Sequence, residues 1–205
     1  MSIQPALLPL FPLNLLPLPG ETIALHIFEG RYQLLFDQLE EMEVDEFGIP
    51  FVDGNKRTNL GGLMRLVFVS EPDENGFRNA AVQCIGLFQL HSFQAKPDDE
   101  ECPYPLGDVD RWYDWKNWTL SDLASTYFDK TSSLASQDAK SLRKEPSNPG
   151  LISAMVHHKI SPKKRFEILS SANELKRNER MENAARFAFL IAEQEAHLNT
   201  GYFPN

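Results

Sequence analysis

The spacing of apolar residues changes from one stretch of the chain to the next, and each change predicts an element. Residues 6 to 19 mix leucine and proline too densely for a helix. Proline is excluded from central ladder positions, so this stretch predicts an edge strand at Leu7 to Phe11 followed by an ordered loop. Thr22 to Phe28 (TIALHIF) is rich in strand-forming residues and reads as a buried strand. The period then becomes helical: Tyr32, Leu35, Phe36, Leu39 and Met42 recur at spacings of three and four, which predicts a helix over Glu29 to Met42 with one apolar face. Glu29 favours its N-terminus electrostatically. A short strand is expected at Phe47 to Val52, closed by Asp53-Gly54-Asn55, residues that tolerate positive φ. Gly62 to Ser70 and Arg78 to Phe93 form the clearest hairpin, joined by a turn-rich linker at 71–76. Gly86, near the middle of the long return strand, marks a bulge or bend where that strand passes from one part of a curled sheet to another.

Ala95 to Gly107 is polar and proline-rich and predicts a surface loop. Val109 to Trp115 alternates as a last strand, and Ser121 to Gln137 repeats as a helix with Leu123, Ala124, Tyr127, Phe128 and Leu134 on one side. Ala139 to Pro149 reads as an exposed linker. After it come only helical patterns: Gly150 to Lys159, Pro162 to Ser170 with Ser161 as its cap, and Glu174 to Leu198 with Asn173 as its cap. The expected fold class is α+β: a curled, pseudo-barrel antiparallel sheet with one inserted helix, followed by an α-helical subdomain. The expected division is 1–118 for the β-rich part and 119–205 for the helical part.

The stretch from Phe11 to Gln38, FPLNLLPLPGETIALHIFEGRYQLLFDQ, followed by FGI at Phe47 to Ile49, resembles the N-terminal substrate-binding domain of Lon-type ATP-dependent proteases, in the form found in short proteins that carry this domain alone. The family has the same order of a curled sheet followed by helices. The resemblance is strongest before residue 93 and weak from 94 to 148. It implies a PUA-like barrel and a module that binds other proteins. The family carries a basic residue two or three positions after the glycine of the return strand; here those positions hold Phe88 and Gln89.

Composition narrows the chemistry. With 205 residues, 42% of them apolar, the chain is long enough to bury a core of its own. The N-terminus lacks a basic leader and its prolines would break an apolar signal helix, so a cytoplasmic protein with no membrane segment is expected. Cys84 and Cys102 are too few for a disulfide framework or a zinc site; Cys84 reads as core and Cys102 as a loop thiol. A net charge of -9 argues against nucleic-acid binding, which depends on neutralising phosphates. Residues 140 to 180 nevertheless hold ten Lys or Arg against four Glu, a local excess of +6.

The sequence contains no GxxxxGK[ST] phosphate loop, so neither an ATPase nor an enzymatic role is expected, and no cofactor is implied. The five histidines fall in different elements without metal-ligand spacing; His157 and His158 are adjacent and read as surface residues, whereas His26 is expected to have a buried tautomer partner within its strand. The carboxylate pairs Glu40-Glu41, Asp98-Asp99 and Glu100-Glu101 sit in polar runs and read as solvated. Two groups stand out as candidate partner-binding residues. Trp112, Tyr113, Trp115 and Trp118 form an aromatic cluster of the kind enriched at interface hot spots; strand alternation would place Trp112 opposite Trp115. These rings either seal the junction between sheet and helices or line a groove for a peptide. Lys163, Lys164 and Arg165 put positive charge in the first turn of a helix, against its dipole, which makes them either a solvated face or a dock for an acidic partner. The expected function is non-enzymatic recognition of unfolded or extended protein segments, in company with a separate ATPase or protease. The alternatives are an RNA- or small-ligand-binding PUA-like module and a small enzyme with a diffuse site.

Overall fold

The computed structural model describes residues 7–95, 102–135 and 150–199. The chain divides at Tyr113/Asp114 into two compact units.

The first unit is built on six strands and one helix: β1 Leu8–Pro9, β2 Thr22–Ile27, α1 Gly30–Glu40, β3 Phe47–Asp53, β4 Lys56–Val69, β5 Arg78–Gln94 and β6 Leu106–Trp112. The antiparallel ladder runs β1-β6-β5-β4-β3, and β2 joins it by pairing with β5. The ladder does not close. The chain after β1 instead runs along β3 through isolated parallel bridges at Leu10/Gly48 and Leu13/Phe51.

β5 can serve three neighbours because it changes partner along its length. Residues 78–83 pair with β2, and Leu87 to Gln94 pair with β6. The handover lies at Gly86, where the β4 register shifts between Leu63/Gly86 and Met64/Cys84. A bulge adds twist at such a point, and here it lets one strand belong to two parts of a curled sheet. The chain enters β2 through Leu18-Pro19-Gly20-Glu21. The Glu21 N–H donates to the Leu18 carbonyl, Gly20 takes φ +94, and the Glu21 carboxylate accepts from the Leu18 N–H at 2.7 Å. Proline followed by glycine is the signature of a type II turn, and glycine alone meets its positive φ without strain.

Two apolar clusters fill the unit. In the larger, Phe11 stacks on Tyr32 at 4.0 Å between centroids, and Leu35, Phe36 and Leu39 of α1 pack on Phe47, Ile49, Met64 and Val82. In the smaller, Leu10, Leu63 and Phe88 meet where glycine replaces side chains. A Cβ on Gly48 or Gly61 would lie 2.8 or 2.3 Å from the Phe88 ring, and one on Gly107 would lie 2.5 Å from Leu10. Phe88, where the resembled family has a basic residue nearby, is thus the plug of this cluster. Arg78 ties α1 to β5: its guanidinium reaches Asp37 and Glu40 of the helix, and its Nε donates to the Ser70 carbonyl at 2.9 Å.

The second unit contains a 3-10 turn at Asp114–Asn117 and the helices α2 Asp122–Ala135, α3 Leu151–His157, α4 Pro162–Leu169 and α5 Glu174–Asn199. α2 and α5 carry its main packing. Ala124 and Phe128 of α2 and Met181 and Ala185 of α5 are buried, as are Leu151, Met155 and Ile168. The Asn173 side chain caps α5 by accepting from the Lys176 N–H at 2.9 Å.

Several expectations need correction. The edge strand is only two residues long, because Leu10 and Leu13 turn from β6 to β3. β2 is half-exposed rather than buried, since Thr22, Ala24 and His26 face solvent. α1 ends at Glu40, and Met42 takes φ 60 and lies 84% exposed instead of on the apolar face. The last strand starts earlier, at Leu106, and Trp115 lies in the 3-10 turn, so Trp112 and Trp115 do not share a strand. Within the expected surface loop, Tyr104 is buried and donates its hydroxyl proton to Gln38 at 2.6 Å. Leu123, expected on one side of its helix with Ala124 and Phe128, is exposed while those two are buried. Ser161 precedes α4 without a side-chain cap. The linker expected at Ala139 to Pro149 lies outside the described residues.

Candidate functional site

In a β-strand, neighbouring side chains point to opposite faces, so a run of consecutive apolar residues is wholly internal only where both faces are covered, as at Phe47 to Phe51 of β3. The run Leu66-Val67-Phe68-Val69 in β4 shows the consequence. Val69 is buried, whereas Val67 and Phe68 are 60% and 61% exposed, and the register shifts between Leu66 and Phe68. Phe68 pairs with Ala81 of β5, which in turn pairs with Ala24 of β2. The outer face of β4-β5-β2 therefore carries an apolar strip. One end of β2 extends it with a ring cluster: His26 meets Phe77 edge-on at 5.6 Å, and Phe28, 56% exposed, lies 6.3 Å from Phe77. His26 shares a hydrogen bond with Asn79 across the strands at 3.0 Å, so its partner is present but exposed rather than buried.

This strip was not singled out from the sequence. The available signal was the four-residue apolar run in β4, which strict alternation would not produce in a strand with one wet face.

The aromatic candidates fall into both units. Trp112 ends β6 opposite Leu87, followed by the half-exposed Tyr113. Trp115 lies in the 3-10 turn with the Lys116 ammonium 5.9 Å from its ring. Trp118 lies under the Arg177 guanidinium at 3.8 Å, and its carbonyl accepts from the Leu151 N–H at the start of α3. Trp118 therefore helps to join α3 and α5. Arg177 is buried there, and that burial lowers its pKa, with nearby Glu174 opposing the shift.

The basic candidates also separate. Lys163 and Lys164 are exposed, but Lys164 pairs with Glu167 at 2.7 Å, and Arg165 is buried. Lys164 lies on the rim of a groove of about 1270 Å³ within the helical unit, whose walls include His158, Arg180, Phe187 and Ile191. His158 stacks on Phe128 at 3.9 Å; burial, and then the charge of His157, lower its pKa to about 4. A smaller cleft of about 450 Å³ in the β-rich unit runs beside β2. Among the described residues, no three His, Cys, Asp or Glu side chains gather as metal ligands. No helix among them is long and apolar enough to cross a membrane.

This arrangement has counterparts among solved structures. A Lon N-terminal domain protein from Xanthomonas campestris superposes with a TM-score of 0.62 at 18% identity, over 87% of this chain and 96% of that one. The N-terminal domain of a Mycobacterium avium complex Lon protease does so at 0.60 and 12% identity, over 87% and 97%. The fold is that of the Lon N-terminal domain. The likeness read from residues 11 to 51 thus holds for the architecture, including the helices after the sheet. No protein-family model matches the sequence, and no curated protein does. These two structures are Lon N-terminal domains rather than ATPase or protease modules.

Proposed function

We propose that this Lon N-terminal fold is a non-enzymatic recognition module for exposed apolar or extended segments of other proteins, and that its β-rich unit makes the contact. The observation that carries this reading is the apolar strip on the outer face of β4-β5-β2, where Val67, Phe68 and Phe28 are each more than half exposed. An apolar patch that solvent reaches is a common mark of a protein-binding surface. A captured segment would pass to an ATPase or protease module that these residues do not include.

The RNA-binding alternative has less support. The chain carries -9 overall, and within its basic stretch Arg165 is buried and Lys164 is paired with Glu167. Phosphate recognition needs such cations free.

The test is a binding titration with a permanently unfolded polypeptide, such as reduced and carboxymethylated lactalbumin. Val67→Ser with Phe68→Ser is expected to weaken binding at least tenfold while moving thermal stability little, since both side chains are already largely in water. Trp112→Ala, Trp115→Ala and Lys163→Ala in the same titration report on the aromatic and basic surfaces. If the strip variant binds as the parent does and a tryptophan variant does not, the contact belongs to the aromatic surface.

A further inference from the structure

A sheet edge is a row of unpaired main-chain donors and acceptors, and proteins usually blunt it with proline, charge, a bulge or a covering segment. Three edges of this sheet are treated in that way. β1 is two residues long and contains Pro9, and β3 contains Pro50 and is bridged by Leu10 and Leu13. The third, the flank of β5 beyond Gly86, is covered by β6.

β2 differs. It pairs with β5 through six consecutive residues without a register shift, and no other strand among the described residues joins it. Which of its main-chain groups face outward follows from both ends of the pairing. The Ser70 N–H donates to the Asn79 carbonyl, so Asn79, Ala81 and Gln83 of β5 turn to β4. Arg78, Ala80 and Val82 therefore turn to β2, where they meet Ile27, Leu25 and Ile23. At the other end the Cys84 N–H donates to Glu21 at 2.8 Å, which sets the same alternation. Thr22, Ala24 and His26 are left with their N–H and C=O groups directed away from the sheet. The edge they form holds no proline, lysine or bulge.

Ala24 and His26 of that edge, open among the described residues, also line the 450 Å³ cleft, together with the apolar Leu13 and Leu15 of the lead-in, Tyr32 of α1 and Phe93 of β5 and the Glu29–Arg31 ion pair. We infer that an extended polypeptide segment docks on β2 as an added strand, through main-chain hydrogen bonds to Thr22, Ala24 and His26. Only an extended chain repeats donors and acceptors at the strand period. Its alternate side chains would enter the cleft and lie over the His26-Phe28-Phe77 rings, which favours apolar residues at both sets of positions. This inference rests on the recognition reading above and adds, beside the apolar strip, a second contact that takes the main chain of the bound segment.

The test uses the full chain, carboxymethylated lactalbumin as probe, and two measurements. Ala24→Pro removes an outward N–H without removing a β2–β5 bond, and proline is tolerated at such edge positions. The expected result is at least tenfold weaker binding. In parallel, amide exchange of the parent protein should show Thr22, Ala24 and His26 gaining protection on adding the probe, while Ile23, Leu25 and Ile27 are protected throughout. Should Ala24→Pro fail to fold, the exchange pattern decides. Binding by the parent without protection at those three amides, or unchanged binding by a folded Ala24→Pro, overturns strand docking and leaves recognition standing. Protection that comes instead with a doubled mass and no bound probe assigns the edge to a second copy and also overturns the inference. A parent that does not bind the probe removes the recognition reading itself.

Discussion

Replacing Gly61 with alanine tests the packing inside the curled sheet. In an unstrained backbone a glycine-to-alanine change normally gains about 0.4–1 kcal/mol, because the unfolded chain loses freedom. Gly61 lies in β4 without positive φ, so that gain should apply. Its new Cβ, however, would sit 2.3 Å from the Phe88 ring tip and 2.6 Å from the Ile49 carbonyl oxygen. The ring has no free space to swing into, since it is fully buried and packed with Leu10 and Leu63. Overpacking of this kind costs about 1–3 kcal/mol, so the expected sign is reversed. Urea denaturation, with exchange of the β3 and β4 amides as the site-specific readout, should place Gly61→Ala about 1–2 kcal/mol below the parent, net of the backbone gain. In a Phe88→Leu background the shorter side chain leaves room, and the two changes should couple favourably by about 1 kcal/mol; the Ile49 carbonyl keeps the relief incomplete. A Gly61→Ala protein as stable as the parent, or zero coupling, would refute the close approach of β4 to Phe88.

Three further outcomes are expected. Because His158 is held neutral with a pKa of about 4, against an ordinary 6.5, the unfolded chain binds its proton first; stability of the helical unit is therefore full above about pH 6.5 and falls as pH drops toward 4, and His158→Phe should flatten that dependence in pH-resolved thermal melts. Arg78→Met should destabilise the β-rich unit by about 1–3 kcal/mol in urea melts, and Arg78→Lys should recover only part, because one ammonium cannot reproduce the fork shared by Asp37, Glu40 and the Ser70 carbonyl. Arg177→Lys should lose the flat stacking over Trp118, costing the helical unit about 0.5–2 kcal/mol and changing the fluorescence of that indole.

Much of the architecture was legible because it is encoded locally. The helical period from Tyr32 to Leu39, the Asn173 cap and the break at Gly86 each depend on residues a few positions apart, and each lies where the pattern predicts it; the Leu18-Pro19-Gly20-Glu21 turn is as local, although the pattern predicts only an ordered loop there. The likeness to Lon N-terminal domains could be read for the same reason, since it rests on that turn and the strand and helix after it. What local pattern could not decide was which neighbour each strand would find. Periodicity places Thr22 to Ile27 in a strand, but only the curl of β5, which passes β2 to one side and takes β6 further on, leaves β2 with an open edge. Likewise a run of strand-forming residues does not say that Val67 and Phe68 both lie outward, as they do beside the register shift in β4, and Arg165 reads as surface until α4 packs it inward. Exposure is a property of pairs of elements far apart in sequence, so the surfaces available to a partner emerge only when the sheet has curled and the helices have packed.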